Sequence, residues 1–205
     1  MRTSLTLGLL SAALMLSNTV AQADTVFSTA NYNAAEPGDF SIDSANFLAT
    51  SFTLTQAEQI TAIDGHFSQY GDGNTIFAAI SSAANLANWS SSVVGQTSFA
   101  PNTDGTDSSA ALSLTLDPGT YYLVLGSGLS GTTGATGLAT GQDVIGSPQF
   151  YQSFDGGASW GNLGQNDLRL ALEGTAVSSV PVPGTLPLLV SGLGVLAAGM
   201  RKRKA

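Results

Sequence analysis

The sequence predicts an all-β domain, an antiparallel β-sandwich, over residues 24–179. Three observations point there. Apolar residues in this stretch recur with period 2 and show almost no helical periodicity. The apolar runs are short, and clusters of Gly, Ser, Asn and Asp separate them. The runs are numerous enough to fill two layers around one core.

The elements follow in chain order. Phe52-x-Leu54 opens the first run. Ile60 to Tyr70 is a longer one, with Ile63 and Phe67 set among polar residues. Thr75 to Ile80 is short and apolar, and Val93 to Phe99 follows it. The one helical candidate, Ala83 to Trp89, is about a single turn. Leu112-Ser113-Leu114-Thr115-Leu116 alternates strictly, so its leucines share one face. Asp117-Pro118-Gly119 reads as a turn, because Pro presets φ and Gly tolerates a positive one. Tyr121-Tyr122-Leu123-Val124-Leu125 then returns, apolar on both faces and so a central strand. Gln149 to Phe154 and Leu168 to Glu173 complete the set. Gly126 to Asp143, rich in Gly, Ser and Thr, reads as a mobile surface loop that buries too little to order itself. The segment Leu114 to Gly126 resembles the L-x-P-G-T-Y-Y-L strand pair of jelly-roll modules appended to bacterial secreted enzymes. That likeness makes the expected fold jelly-roll-like.

The two ends of the 205-residue chain have a different character. Residues 1–23 read as a secretory signal peptide. Arg2 gives a positive start, Leu5 to Leu16 is uncharged and apolar, and Ala21-Gln22-Ala23 is the small-x-small pattern that a signal peptidase accepts. Asp24 is then the first mature residue. At the other end, residues 180–205 have three parts. Val180-Pro181-Val182-Pro183 is extended, because proline lacks an amide donor and disfavours helix before it. Leu186 to Met200 is an apolar run of 15 residues, about 22 Å as a helix, against a hydrocarbon core of ~30 Å. Arg201, Lys202, Arg203 and Lys204 form a basic stop that stays in the cytoplasm. Both ends therefore place residues 24–180 outside the cell membrane.

The order V-P-x-P-x-T-L-x-L-L, Gly-rich apolar run, basic cluster resembles a PEP-CTERM sorting signal, a class of tail also known as an ice-binding-protein C-terminal domain. The resemblance implies a Gram-negative source and recognition by an exosortase, a membrane-embedded cysteine transpeptidase that cuts near Pro181-Val182-Pro183. Val182 stands where the namesake triplet has Glu. It further implies a transient inner-membrane-anchored precursor, held by a short transmembrane helix, and delivery to the outer surface or an exopolysaccharide matrix.

Charge excludes other classes. Six basic residues stand against 14 acidic ones. All the acids, but only Arg169 of the basic residues, lie between residues 24 and 180, so the exported part carries −13. One Arg cannot track a phosphate backbone, which excludes nucleic acid as a partner. The same charge disfavours anionic lipid and suits a self-repelling extracellular protein. Cysteine is absent, and with it thiol catalysis, thiolate metal sites and disulfides.

The remaining constellations are sparse. Ser153-Phe154-Asp155-Gly156-Gly157-Ala158-Ser159-Trp160 resembles the Asp-box of sialidases and β-propellers. Its physics is local: Asp155 accepts turn amides, Gly157 supplies positive φ, and Trp160 packs beneath the hairpin. A single copy makes no propeller, so the expected role is structural. His66 is the lone histidine, read as a half-exposed strand residue with Asp64 on the same face. No G-x-S-x-G elbow accompanies it, and a zinc site needs more His or Cys. Asp104-Gly105-Thr106-Asp107 and Tyr70 to Asn74 are oxygen-rich turns where calcium could sit. No catalytic residue, resident metal or cofactor is expected otherwise. The expected function is a non-catalytic exported surface or exopolysaccharide-matrix protein. The alternative is a carbohydrate-binding module that uses Trp89, Trp160 or Tyr70 as stacking platforms. A secreted hydrolase, with two facing carboxylates, is the remoter alternative.

Overall fold

A computed structural model describes residues 23–34, 39–68, 72, 74–102 and 104–177. The signal-peptide residues before Ala23, the sorting tail and Tyr70 lie outside the described residues. The strands are β1 (Asp24–Ser28), β2 (Ala30–Asn31), β3 (Asp39–Ile42), β4 (Phe47–Leu54), β5 (Glu58–His66), β6 (Ile76–Ser81), β7 (Val93–Phe99), β8 (Asp107–Leu116), β9 (Gly119–Gly126), β10 (Thr136–Ala139), β11 (Gln142–Val144), β12 (Phe150–Ser153), β13 (Gly161–Asn162) and β14 (Leu170–Ala176). A 3-10 turn, Leu86–Ser92, sits where the helical candidate was expected, shifted a few residues on. Among the described residues no helix is long and apolar enough to cross a membrane.

The fold is all-β and its pairings are antiparallel. One sheet runs β1-β14-β5-β8 and a larger one runs β13-β12-β4-β9-β6-β7. Alternating residues of both contribute to one core: Leu48, Phe52, Leu123, Leu125 and Ile80 from the large sheet, and Ile60, Ile63, Leu112, Leu170 and Leu172 from the small one. Burial of such side chains contributes about 1.5–3 kcal/mol each, which is what offsets the ordering of so many loop-joined strands. β9 lies between β4 and β6 and is buried on both faces. Leu123 and Leu125 point into the core, while Val124 points into a second cluster on the outer face. That is the central position its two-faced apolar pattern predicts.

Consecutive strands often change sheet. β8 ends the small sheet, the Asp117–Gly119 turn arches across, and β9 begins inside the large sheet. The alternating segment and the Tyr121–Leu125 segment are therefore not paired with each other. β8 pairs β5, and β9 pairs β4 and β6.

The Gly126–Asp143 stretch differs from the expected mobile loop. It contains β10, buried along its whole length and paired with β3, and β11, paired with β2. Its order comes from the body beneath it. Leu138 is fully buried in the core, Ser68 N donates to Gly137 O at 2.8 Å, and Gly134 N donates to Thr75 O at 2.7 Å. Thr132, Thr136 and Thr140 are buried too.

Candidate functional site

The outer face of the large sheet carries a second apolar cluster of Phe47, Ala49, Phe77, Ala79, Leu86, Trp89 and Val124. The 3-10 turn places Trp89 flat on Phe77, with ring centroids 5.9 Å apart and planes 6° off parallel. Phe47 meets the indole edge-on at 6.0 Å. Trp89 is only 4% exposed and cannot serve as a stacking platform. This corrects one expectation: the sequence spacing does not reveal that the turn folds down onto the sheet.

The Asp-box segment forms the hairpin tip between β12 and β13. Asp155 Oδ1 accepts from the amides of Ala158 and Ser159 at 3.1 and 2.8 Å, and from the Ser153 hydroxyl at 2.7 Å. Its Oδ2 accepts from the Ser159 hydroxyl at 2.6 Å. Gly157 N donates back to Ser153 Oγ at 2.8 Å. Gly157 has φ 87°, in the region that favours glycine. Its carbonyl accepts from both indoles, Trp89 Nε1 at 3.2 Å and Trp160 Nε1 at 3.0 Å. One backbone oxygen thus pins the tip to the outer cluster and sets the height of Trp160 above the sheet.

These hydrogen bonds, the Ser159 hydroxyl first, hold the Asp155 carboxyl down at about 2, from an ordinary 3.8. Between those values the folded chain binds fewer protons here than the unfolded chain does. The stabilisation is therefore complete above about pH 4 and is lost as pH falls through about 2. Asp155→Asn is expected to remove this part of the acid dependence. Melting temperature followed from pH 5 to pH 2 should fall less steeply than in the wild type, and parallel curves would deny Asp155 the role.

Beside the hairpin lies an open groove of about 360 Å³ lined by Asn85, Leu86, Ala87, Tyr122, Tyr151, Ala158, Ser159 and Trp160. Tyr151 stands opposite Ala49 and Tyr122 opposite Ser51. β4 therefore sets the two rings side by side across small residues, with centroids 6.2 Å apart and planes at 76°. Trp160 and both tyrosines are half-buried. Sequence reasoning singled out Trp160 but missed Tyr122 and Tyr151. The available signal was their outward parity within their strands. The lining offers aromatic faces, the Asn85 amide and the hydroxyls of Ser159, Tyr122 and Tyr151, and no carboxylate, imidazole, lysine or arginine.

His66 lies elsewhere, on the outer face of the small sheet, and it is fully buried. The half-exposed reading is corrected because the chain after β1 folds back over it. The Tyr32 ring meets the imidazole edge-on at 4.9 Å, and its hydroxyl donates to Gly105 O at 2.6 Å. His66 Nδ1 is 3.2 Å from Asp107 Oδ1. Arg169 donates to Asp107 Oδ2 at 3.2 Å and to Ser28 Oγ at 2.7 Å. The group ties β1, β5, β8 and β14 together.

The two oxygen-rich turns use their acids internally. Asp104 Oδ1 accepts from Thr106 N and Oγ1, Asp72 Oδ1 accepts from Asn74 N, and Asp107 turns toward His66 and Arg169. Among the described residues, no three His, Asp or Glu side chains converge on a metal position.

Of the targeting residues, Ala23 is exposed just before β1. Ala21, Pro181, Val182, Pro183 and Arg201 to Lys204 lie outside the described residues. No family model matches the chain, and no curated protein matches it.

Proposed function

We propose that the chain is an exported, non-catalytic protein of the cell surface or exopolysaccharide matrix, and that it holds carbohydrate in the groove beside the Asp-box hairpin. The observation that carries the binding part is the set of three half-buried rings, Tyr122, Tyr151 and Trp160, kept around an open hollow while Trp89 is consumed by packing. An aromatic ring left partly in water can stack on the C–H face of a sugar ring, Asn85 can exchange hydrogen bonds with its hydroxyls, and Ser159 Oγ can accept one. The hollow offers surfaces for holding a ligand and no facing pair of carboxylates for cutting one, which favours binding over hydrolysis.

The strand arrangement supports a jelly-roll-like body. Counting only β1, β4, β5, β6, β7, β8, β9 and β14, the small sheet holds the first, eighth, third and sixth strands, and the large sheet the second, seventh, fourth and fifth. That alternation between layers is what two nested Greek keys produce. In the proposed life history, signal peptidase removes residues 1–23. An exosortase then processes residues 180–205 at the inner membrane, and the body stays among exopolysaccharide outside.

The mature protein is expected to co-sediment with exopolysaccharide purified from the producing cells. Trp160→Ala should weaken binding about tenfold or more, the usual effect of truncating a central Trp anchor. Val94→Ser, at an exposed position on the opposite edge strand of the large sheet and outside the groove lining, should leave it unchanged. Tyr151→Ala is the second groove variant if Trp160→Ala lowers the melting temperature. Undiminished binding by both groove variants would remove the groove from the function.

A further inference from the structure

We infer that the groove takes an uncharged pyranose glycan and excludes acidic polysaccharides. The inference rests on the carbohydrate reading of the groove and adds the chemical class of ligand. The groove itself is neutral: three aromatic rings, the Asn85 amide and the Ser159 hydroxyl supply its contacts. The charge bonded to its wall is negative. Ser159, one wall of the groove, gives its hydroxyl to Asp155 at 2.6 Å. The same hydrogen bonds hold Asp155 ionised far below neutral pH.

No cation on the body answers a ligand's negative charge. Arg169 is the only basic residue between residues 24 and 180 apart from His66; His66 ends β5 of the small sheet and Arg169 immediately precedes β14. Arg169 is spent on Asp107 and Ser28, and the imidazole is buried beneath Tyr32. A polyuronate or sulfated chain entering the groove would meet Asp155 at the wall and a body of −13, with no counter-charge to recover the cost. A neutral chain pays nothing electrostatic and keeps the stacking. In a matrix containing both kinds of polymer, the protein would sort to the neutral strands.

The test uses one backbone in two charge states. Tryptophan fluorescence and calorimetry on the mature protein would compare polygalacturonate with its fully methyl-esterified, uncharged form, alongside a soluble neutral glucan and a galactomannan. At about 0.01 M salt, where the Debye length is ~30 Å, at least one neutral polymer should bind, and the methyl ester should bind about tenfold or more tightly than the free acid. The difference should shrink as salt rises. Ala87→Lys, which places a cation on the groove wall, should admit the free acid while retaining the neutral ligand. Polygalacturonate binding as tightly as its ester at low salt would overturn the charge inference and leave the carbohydrate reading standing. Binding of no polysaccharide, with aromatic-rich peptides captured instead and lost in Trp160→Ala, would overturn both and make the groove a peptide site.

Discussion

Gly157→Ala is expected to lower the stability of the body by about 2–5 kcal/mol, a drop of roughly 5–15 °C in melting temperature for a domain of this size. Two separate costs add. The residue has φ 87°, where a Cβ costs about 1–2 kcal/mol. The new methyl would also fall 2.8 Å from Trp89 Nε1 and 2.9 Å from Phe47 Cδ2. Neither neighbour can yield easily. Phe47 is fully buried, and the Trp89 indole is stacked on Phe77 and bonded to the Gly157 carbonyl. Gly164→Ala is the matched control. Its φ is 77°, but nothing lies within 4 Å of the added carbon, so only the backbone cost of about 1–2 kcal/mol applies. Chemical unfolding followed by circular dichroism would give the two losses. Tryptophan fluorescence should report a disturbed indole environment in Gly157→Ala alone. Equal losses would mean that the close approach at Gly157 carries no stability.

This glycine also explains how a structural motif creates a surface feature. The hairpin tip is fixed by Asp155 from within and by the Gly157 carbonyl from below. Because that carbonyl binds both indoles, the buried Trp89 sets the position of the half-buried Trp160. The Asp-box spacing reads correctly from sequence because its hydrogen bonds join residues within a few positions of each other. The groove it helps to form does not read from sequence. Tyr122 and Tyr151 are 29 positions apart and meet only because β4 lies between β9 and β12.

The same division runs through the fold. β8 and β9 are legible because strict alternation, or apolar character on both faces, is a local record of what surrounds a strand. β1, β3 and β10 are not. β10 is Thr136-Gly137-Leu138-Ala139, too short and small to signal itself, and it is buried because Phe67 and β3 lie against it. Turn chemistry at Asp117–Gly119 announces a reversal, but the sheet that the next strand joins depends on distant partners. His66 sits on the face that parity gives it. Its burial depends on Tyr32, whose position no local pattern specifies.

Substituting Pro181 and Pro183 together with Ala is expected to leave an uncut, membrane-held precursor, an all-or-none change in processing. The expectation follows from the proposal that the tail is an address: an apolar run of 15 residues is short for a permanent ~30 Å span and would suit an enzyme that must unwind it and cut beside it. Neutralising Arg201, Lys202, Arg203 and Lys204 should have a different result. Without the basic stop the tail slips outward, and uncut precursor enters the medium. The body should fold in both variants, and its geometry suits such a tether. Asp24 pairs with Gly174, so the start of β1 and the end of β14 lie at one end of the body, where Val177 N donates to Ala57 O at 2.9 Å. Leu54 pairs with Gly119 at that same end, whereas Ser153, at the base of the Asp-box tip, pairs with Phe47 at the opposite end of β4. A body held through the residues that follow β14 would therefore keep the hairpin tip directed away from that end. Blots of membrane, surface and medium fractions with antibody against residues 24–177 would decide the matter. If both variants reach the surface at wild-type size, the tail is no sorting signal, and the groove must be reached by some other route of display.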